Sequence, residues 1–466
     1  MIGWPFVLAG LATVLLLRAR RLQAWRVEVL ALVGLAFAAA TLDGAADAIC
    51  LAAMGGIGWL VLRGMAWRPH WLWLPAGIVA ALAVFVLSRQ VLPRLDLPPL
   101  AFPPIGPGGG RLASLPAIGH VFGLSYVMFR VLHLMVDAAG GEVPPLRKRD
   151  LLAYLVSFPT FLAGPIQRVQ DFVEESQRRV SDTLPEALAT HGPLLGRGFA
   201  RITLLAGAAN ALLAWSQSQT AALPPAAALT LGALAFAAYL YAGFAGYTDL
   251  VRGIAGLGAF GLPENFDRPF AAPNFLEFWG RWHISLSDWF KLYVFNPAVK
   301  AMIARSPDPR WTPYLGAAGY FLTFFLMGLW HGIGVRFALY GLCLGGGVSL
   351  NKLWQVALQR RLGRREYAAL ARGPAYAVAA RAAAGAFFIL ALGFLWLPAW
   401  PAPAPAAAAA VAVFALMLLI AILDRRVPEK IPSARAVAVI AGIQVAAGAA
   451  WLALGGSIPP VLYAYF

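Results

Sequence analysis

From its first residues to its last, the chain is written in apolar runs separated by short polar punctuation. A helix needs roughly 20 apolar residues to cross the hydrocarbon core of a bilayer, and runs of that kind recur along the whole chain. Little is left over for a separate soluble domain, so residues 1–466 read as a single integral membrane domain. The pattern predicts an all-α polytopic membrane protein with about 11 or 12 spanning helices. The first run, Met1 to Leu17, has no basic residues before it and no small-residue cleavage site after it, and is expected to be retained as the first helix.

Three stretches depart from simple crossing. Leu151 to Ile166 is short, interrupted by Pro159, and flanked by Arg147, Lys148 and Arg149 on one side and Arg168, Arg178 and Arg179 on the other. It is expected to dip into the membrane and return. Irregular backbone at that depth is tolerated only where protein or a watery cavity covers its polar groups, which points to a function beyond anchoring. A second re-entrant candidate starts at Asp249 and runs through GIAGLGAFGLPENF. From Asn274 to Phe295, helical spacing puts Phe275, Phe278, Trp279, Trp282, Leu286, Trp289, Phe290 and Tyr293 on one face, with Glu277, Arg281, Asp288 and Lys291 on the other. That reads as an amphipathic helix along the cytoplasmic interface, with Glu277 and Arg281 paired one turn apart. The low-complexity WPAPAPAAAAA from Trp400 reads as an external turn leading into the next helix.

Composition fits this picture: 60% of residues are hydrophobic and only 12% charged. A net charge of +16 raises the question of nucleic acid. The basic residues, however, sit in short clusters at the ends of apolar runs rather than along one face, which is the signature of positive-inside topology. Arg18, Arg20, Arg21 and Arg26 place the first loop in the cytoplasm and the N-terminus outside. On the same count Arg63 with Arg68, Arg147 to Arg149, Arg360 to Arg365 and Arg425 with Arg426 fall inside, and the Pro/Gly-rich stretch Val91 to Gly110 falls outside. Cys50 and Cys343 are far apart in apolar runs, so no disulfide framework or metal site is expected.

Within this apolar chain the ionisable groups are the candidates for chemistry. His331 stands in FLTFFLMGLWHGIGVRFALYG, with Gly328, Gly332 and Gly334 around it. Small residues allow close backbone approach, and Gly332 is a natural helix break. An imidazole titrating near neutral pH is what a general base for hydroxyl activation requires; a structural histidine bonded between helices is the alternative. His283 flanks the aromatic face of the 274–295 segment, and both a functional and an interfacial role are open to it. Asp137, Asp249 and Glu264 make up the short inventory of acids able to partner an imidazole. His133, with Arg130 on GLSYVMFRVLHLMVD, reads as a packing or headgroup contact, and His70, His120 and His191 sit at loop edges.

Five segments, in order, carry a resemblance: GLSYVMFRVLHLMVD from Gly123, FPTFLAGPIQRVQDF from Phe158, GYTDLVRGIAGLGAFGLPENFDRPF from Gly246, EFWGRWHISLSDWFKLYVF from Glu277 and MGLWHG from Met327. Together they resemble the membrane-bound O-acyltransferases, in particular the bacterial branch active in alginate O-acetylation and teichoic acid D-alanylation. The matching core spans about residues 123–354, and the first 110 or so residues lie outside it. The resemblance implies helices arranged around a central tunnel, catalysis by His331 and a second, less universal histidine at His283. It also implies a multi-pass protein of the bacterial inner membrane that binds no metal or resident cofactor. The donor would be acetyl-CoA or an acyl carrier protein thioester, docking at the cytoplasmic face near Arg281, Trp282 and Lys291. The acceptor would be an extracytoplasmic polysaccharide or a partner protein, with membrane lipid as surroundings and no nucleic acid. Ser and Thr are scarce near His331, Thr323 being the nearest upstream. This favours direct attack or the nucleophile of a periplasmic acyltransferase partner. A transporter or flippase for a lipid-linked sugar is the rival from another class, since Gly/Pro breaks also mark transport pathways.

Overall fold

The computed structural model describes residues 3–42, 45–90, 123–218, 222–332, 334–397, 399–425, 433–456 and 458–459. The expected external stretch Val91 to Gly110, His120 and Arg426 lie outside the described residues. The architecture is all-α, with one isolated antiparallel bridge, Phe266 to Trp282, among the described residues. Eight of the described helices are long and apolar enough to cross a membrane. The chain is therefore a multi-pass membrane protein.

The N-terminal part comprises α1 (Trp4–Arg18), α2 (Arg26–Thr41), α3 (Ala45–Trp67), α4 (Trp73–Gln90) and α5 (Leu124–Ala139). Helix α5 is buried on almost every side, from Leu124 through Met135. It therefore forms the centre of the molecule rather than a lipid-facing span, which explains why charged and polar residues survive on it. Against the expected 11 or 12 crossings, eight described helices meet the length and composition of a span, with α1 and α4 shorter apolar helices beside them; α16 (Val335–Leu362) is a further long helix outside the eight.

The expected re-entrant stretch is built as α6 (Lys148–Val156), a break at Ser157, and the single turn α7 (Phe158–Phe161), followed by extended chain and α8 (Val169–Gln177). Helix α6 rises only about 14 Å, far short of a hydrocarbon thickness. Residues 157–167 are all buried by the protein, which covers the polar groups of this irregular backbone.

The second re-entrant candidate is helical in its first half, and the chain leaves the helix only at Gly258. Helix α9 (Leu184–Ala200), a π-helical segment (Arg201–Ala206) and α10 (Gly207–Ser218) run up against α11 (Pro225–Leu257), and α11 continues unbroken through Asp249, Gly253 and Gly256. These glycines serve packing. A β-carbon on Gly253 would meet the Leu195 side chain, and one on Gly256 would meet the His191 ring. The correction has a plain cause: glycine spaced for helix contact looks in sequence like glycine spaced for a turn.

The predicted interfacial helix is also corrected. It is divided into α12 (Phe275–Trp279) and α13 (Ile284–Phe290), followed by a π-helical turn (Lys291–Phe295) and α14 (Asn296–Arg305). Gly280 ends α12, and the Phe266 to Trp282 bridge and the left-handed His283 (φ 44°) complete the break. The aromatic face is buried in the protein, Trp282 completely so, rather than laid on a membrane surface. Arg281 lies beyond the helix end, and Glu277 accepts a hydrogen bond from Asn274 at 3.0 Å instead of the expected partner.

Helices α15 (Thr312–His331) and α16 pack as an antiparallel hairpin. A β-carbon on Gly328 would meet the backbone of Gly341, and one on Gly345 would meet the carbonyl of Phe321. Two helix backbones touch there, so Gly328→Ala is expected to destabilise the hairpin by about 1–3 kcal/mol. A lowered thermal unfolding midpoint would be the readout, and an unchanged midpoint would show that the helices can separate without cost.

The C-terminal part contains α17 (Arg364–Arg372), α18 (Pro374–Ala391), α19 (Gly393–Trp396), α20 (Pro403–Asp424) and α21 (Ala434–Ala453). The PAPAAAAA sequence belongs to α20 itself, so the turn is confined to residues 399–402 and the alanines are helical, as their high propensity dictates.

Candidate active site

His331 is the last residue of α15, where Gly332 ends the helix in extended conformation (φ 173°, ψ 163°). The predicted helix break is present. A β-carbon at Gly332 would run into the Phe337 ring, so the chain folds back into α16 only because this position has none. The turn brings Tyr340 of α16 edge-on to the imidazole at 5.6 Å, while Trp330 packs on it at 4.6 Å. His331 is 4% exposed. Because α15 rises about 30 Å from Thr312, His331 lies at the opposite end of the helix from the basic Arg305–Arg310 turn.

His283 reaches the same neighbourhood from the break before α13. The first amides of α13 explain its backbone: Ile284 N–H donates to the Asn265 carbonyl at 3.0 Å, and Ser285 N–H donates to Asn265 Oδ1 at 3.1 Å. These bonds hold His283 in the left-handed region, where a non-glycine residue costs roughly 1–2 kcal/mol. Its ring lies edge-on to Phe244 at 4.8 Å, and its Nε2 is 3.5 Å from the Tyr126 hydroxyl of α5. The two imidazoles are within electrostatic range of each other. His283 and His331, separated by almost fifty positions in sequence, are therefore both buried among aromatic side chains contributed by α5, α11, α13, α15 and α16. The aromatic contact of Phe129 with Trp330 at 5.3 Å and the bond from the Trp289 indole to the Phe129 carbonyl at 3.2 Å tie α5 to both histidine-bearing elements.

The re-entrant element is held in place by α5. Arg130, 1% exposed, donates to the carbonyls of Tyr154 (2.8 Å), Leu155 (3.0 Å) and Thr160. These are carbonyls left over where α6 ends and α7 turns, and a guanidinium fork supplies donors for all of them. One turn further, His133 Nε2 and the Tyr154 hydroxyl are 2.6 Å apart, and that hydroxyl donates to the Gln167 carbonyl at 2.8 Å. Next comes Asp137, whose carboxylate accepts from Arg168 (2.9 Å), Gln170 (2.8 Å) and Tyr293 (2.9 Å). On the far limb, Ile166 N–H donates to Ser285 Oγ at 2.9 Å, and Ser285 in turn donates to Asn265 Oδ1 at 2.7 Å. Asn265 and Ser285 thus fix both the re-entrant limb and the backbone of His283.

Of the three acids considered as histidine partners, each is engaged by arginine: Asp137 by Arg168, Asp249 by Arg197 and Arg201, Glu264 by Arg252. His133 is a buried packing residue, as expected. Trp282 is corrected as a donor contact. It is fully buried among Tyr241, Phe266, Phe270, Phe278 and Phe388, where it serves as core. Arg281 is half-buried and Lys291 exposed, so both remain on an accessible face. Thr323 donates to the Gly319 carbonyl of its own helix at 2.7 Å, two turns before His331, which removes it as a nucleophile. Among the described residues, no three His, Cys, Asp or Glu side chains converge as a metal site.

Sequence reading missed the role of α5. Tyr126, Arg130, His133 and Asp137 recur at i, i+4, i+7 and i+11 and form a narrow polar stripe on an otherwise apolar helix. That spacing was visible, but only the folded chain shows that it faces the re-entrant element.

Comparison with known proteins identifies the family. The signature described as membrane-bound O-acyltransferase family matches residues 149–391. The chain is 34% identical over 235 residues to the teichoic acid D-alanyltransferase of Bacillus subtilis (strain 168), covering 47% of this chain and 56% of that protein. It is 30% identical over 310 residues to the probable alginate O-acetylase AlgI of Pseudomonas aeruginosa, covering 66% of this chain and 55% of that protein. Against the corresponding protein of Azotobacter vinelandii the identity is 31% over 308 residues, 64% of this chain and 58% of the relative. The chain thus spans a little over half the length of these curated relatives. Match and architecture together place the chain in the membrane-bound O-acyltransferase family.

Proposed function

We propose that this protein is a membrane-embedded O-acyltransferase that moves an acyl group, acetyl in the first instance, from a cytoplasmic thioester to a hydroxyl on an extracytoplasmic polysaccharide or partner protein. The observation that supports the proposal is the burial of both His331 and His283 among aromatic side chains, with His331 at the far end of α15 from the basic Arg305–Arg310 turn. Its natural location is the bacterial inner membrane, with the donor side facing inward.

In the proposed reaction His331 accepts the proton of the acceptor hydroxyl as its oxygen attacks the thioester carbonyl. The carbon–sulfur bond then breaks, and the imidazolium returns that proton to the departing thiolate. His283, edge-on to Phe244 and 3.5 Å from the Tyr126 hydroxyl, would orient the carbonyl or the acceptor. Burial keeps water from competing with the hydroxyl for the thioester. The donor is acetyl-CoA or an acyl carrier protein, approaching past Arg281 and Lys291.

D-alanyl transfer to a teichoic acid is the second reading, supported by the similarity to the Bacillus subtilis protein. Mass spectrometry of the esterified acceptor separates the two, because the acyl masses differ. A flippase would move a lipid-linked sugar without consuming thioester, so acceptor-dependent release of free thiol supports acyl transfer and transport without thiol release overturns it.

For His283 a partial loss is expected. His283→Ala and His283→Gly should both lower turnover roughly 10- to 100-fold, with the glycine variant the more stable because it relieves the positive φ. Recovery of full turnover in the glycine variant would mean that the backbone, not the imidazole, is what the site requires.

A further inference from the structure

The α9–α11 interface holds charges that the acyl-transfer site does not use. Arg197 donates to both oxygens of Asp249 at 2.8 Å, and Arg201 donates to Asp249 Oδ2 at 2.6 Å. Two guanidiniums thus share one buried carboxylate. The Asp249 side chain is 5% exposed, whereas those of Arg197 and Arg201 are 42% and 22% exposed. The neighbouring Arg252 is matched by Glu264 at 3.1 Å and adds no net charge. One positive charge is left over.

Local structure is adapted to this arrangement. The backbones of α9 and α11 touch, since a β-carbon on Gly198 would meet the Gly246 carbonyl at 2.7 Å and the Leu250 amide at 2.9 Å. The helix widens to π form from Arg201 onward, a feature often found at functional sites. Arg201 is carried over the Tyr241 ring at 5.8 Å. The depth is also defined. Arg197 and Arg201 lie about 32 and 26 Å of helix rise from the outer end at Ser218, and Asp249 lies about 36 Å from Pro225. Against a hydrocarbon core of about 30 Å counted from that end, the Arg197 backbone falls at the far boundary and that of Arg201 about one turn inside it, within reach of the headgroups for a long side chain.

We propose that Arg197 and Arg201 bind the phosphate of an anionic lipid of the cytoplasmic leaflet. A single arginine suffices to neutralise Asp249; the second leaves a surplus charge at a low-dielectric boundary, where it is costly without an anion. The guanidinium fork matches phosphate oxygens, and both side chains keep accessible surface, 42% for Arg197 and 22% for Arg201, while holding the shared carboxylate. The inference rests on topology and on this cluster, independently of the acyl-transfer reading.

The test uses the full chain in nanodiscs of phosphatidylcholine with increasing phosphatidylglycerol, reading the thermal unfolding midpoint and the lipids retained in native mass spectrometry. Wild type should be stabilised by phosphatidylglycerol and retain it selectively. Arg201→Gln, which leaves Asp249 paired with Arg197, should need about tenfold more phosphatidylglycerol for the same stabilisation. Arg201→Lys, which keeps the charge without the fork, should fall between and covers the case in which the glutamine variant does not fold. Arg360→Gln, a basic residue bonded to Tyr314 on another part of the cytoplasmic face, should behave as wild type. Equal phosphatidylglycerol response in wild type and in both Arg201 variants would overturn the proposal. So would stabilisation by inorganic phosphate with no preference for phosphatidylglycerol over phosphatidylcholine, which would mark the site as one for a soluble anion.

Discussion

Replacing His331 by alanine is expected to lower acyl transfer by roughly 10²- to 10⁴-fold, the usual worth of a positioned general base, while the protein still inserts and purifies as a monodisperse species. The expectation of an intact fold comes from the position. His331 is a helix-terminal residue packed by Trp330 and Tyr340, and the turn after it depends on Gly332 rather than on the imidazole. Losing the ring opens a small cavity beside Trp330 and Tyr340. His331→Gln keeps volume and hydrogen bonding without a group that titrates near neutral pH, so it should be as inactive as alanine. An active glutamine variant would reduce His331 to a positioning role.

The second large effect concerns Arg130, which is remote from any substrate contact proposed above. Arg130→Met retains the length and apolar stem but leaves the carbonyls of Tyr154, Leu155 and Thr160 without their donor inside the protein. Leaving buried acceptors unsatisfied is expected to cost about 1–3 kcal/mol each. The loss should appear as a lowered unfolding midpoint together with faster amide exchange in residues 157–167, and activity should fall because the packing around the histidines loosens. Arg130→Lys keeps the charge but cannot reach three acceptors at once, so it should recover only part of the stability. A methionine variant as stable as wild type would show that the re-entrant element holds itself in place.

What could be read from the sequence divides along physical lines. The membrane class, the helix break after His331 and the broken helix within Leu151 to Ile166 all follow from local composition, because the bilayer imposes its rules residue by residue. The errors arose where one local pattern has two tertiary meanings. Gly253 and Gly256 looked like a broken helix but let α9 approach α11. The aromatic stripe from Phe275 to Tyr293 looked like an interfacial helix but is core on both sides of a sharp break. That break depends on Asn265, which lies in a different segment and bonds the first amides of α13. Nothing local to His283 announces its left-handed backbone. In the same way, the pairing of Asp249 with two arginines, rather than with a histidine, is a fact of the α9–α11 contact and not of either helix alone.

The central claim is that an acyl group passes from a thioester on the cytoplasmic side to an acceptor on the other side through the protein at His331. The most direct measurement uses proteoliposomes of defined orientation, with acyl-labelled thioester confined to the cytoplasmic face and a hydroxyl acceptor confined to the opposite face. Label should appear on the acceptor with wild-type protein and fall to background with His331→Ala. Transfer that continues at the wild-type rate in the alanine variant, or that proceeds only when donor and acceptor share one face, would contradict the account.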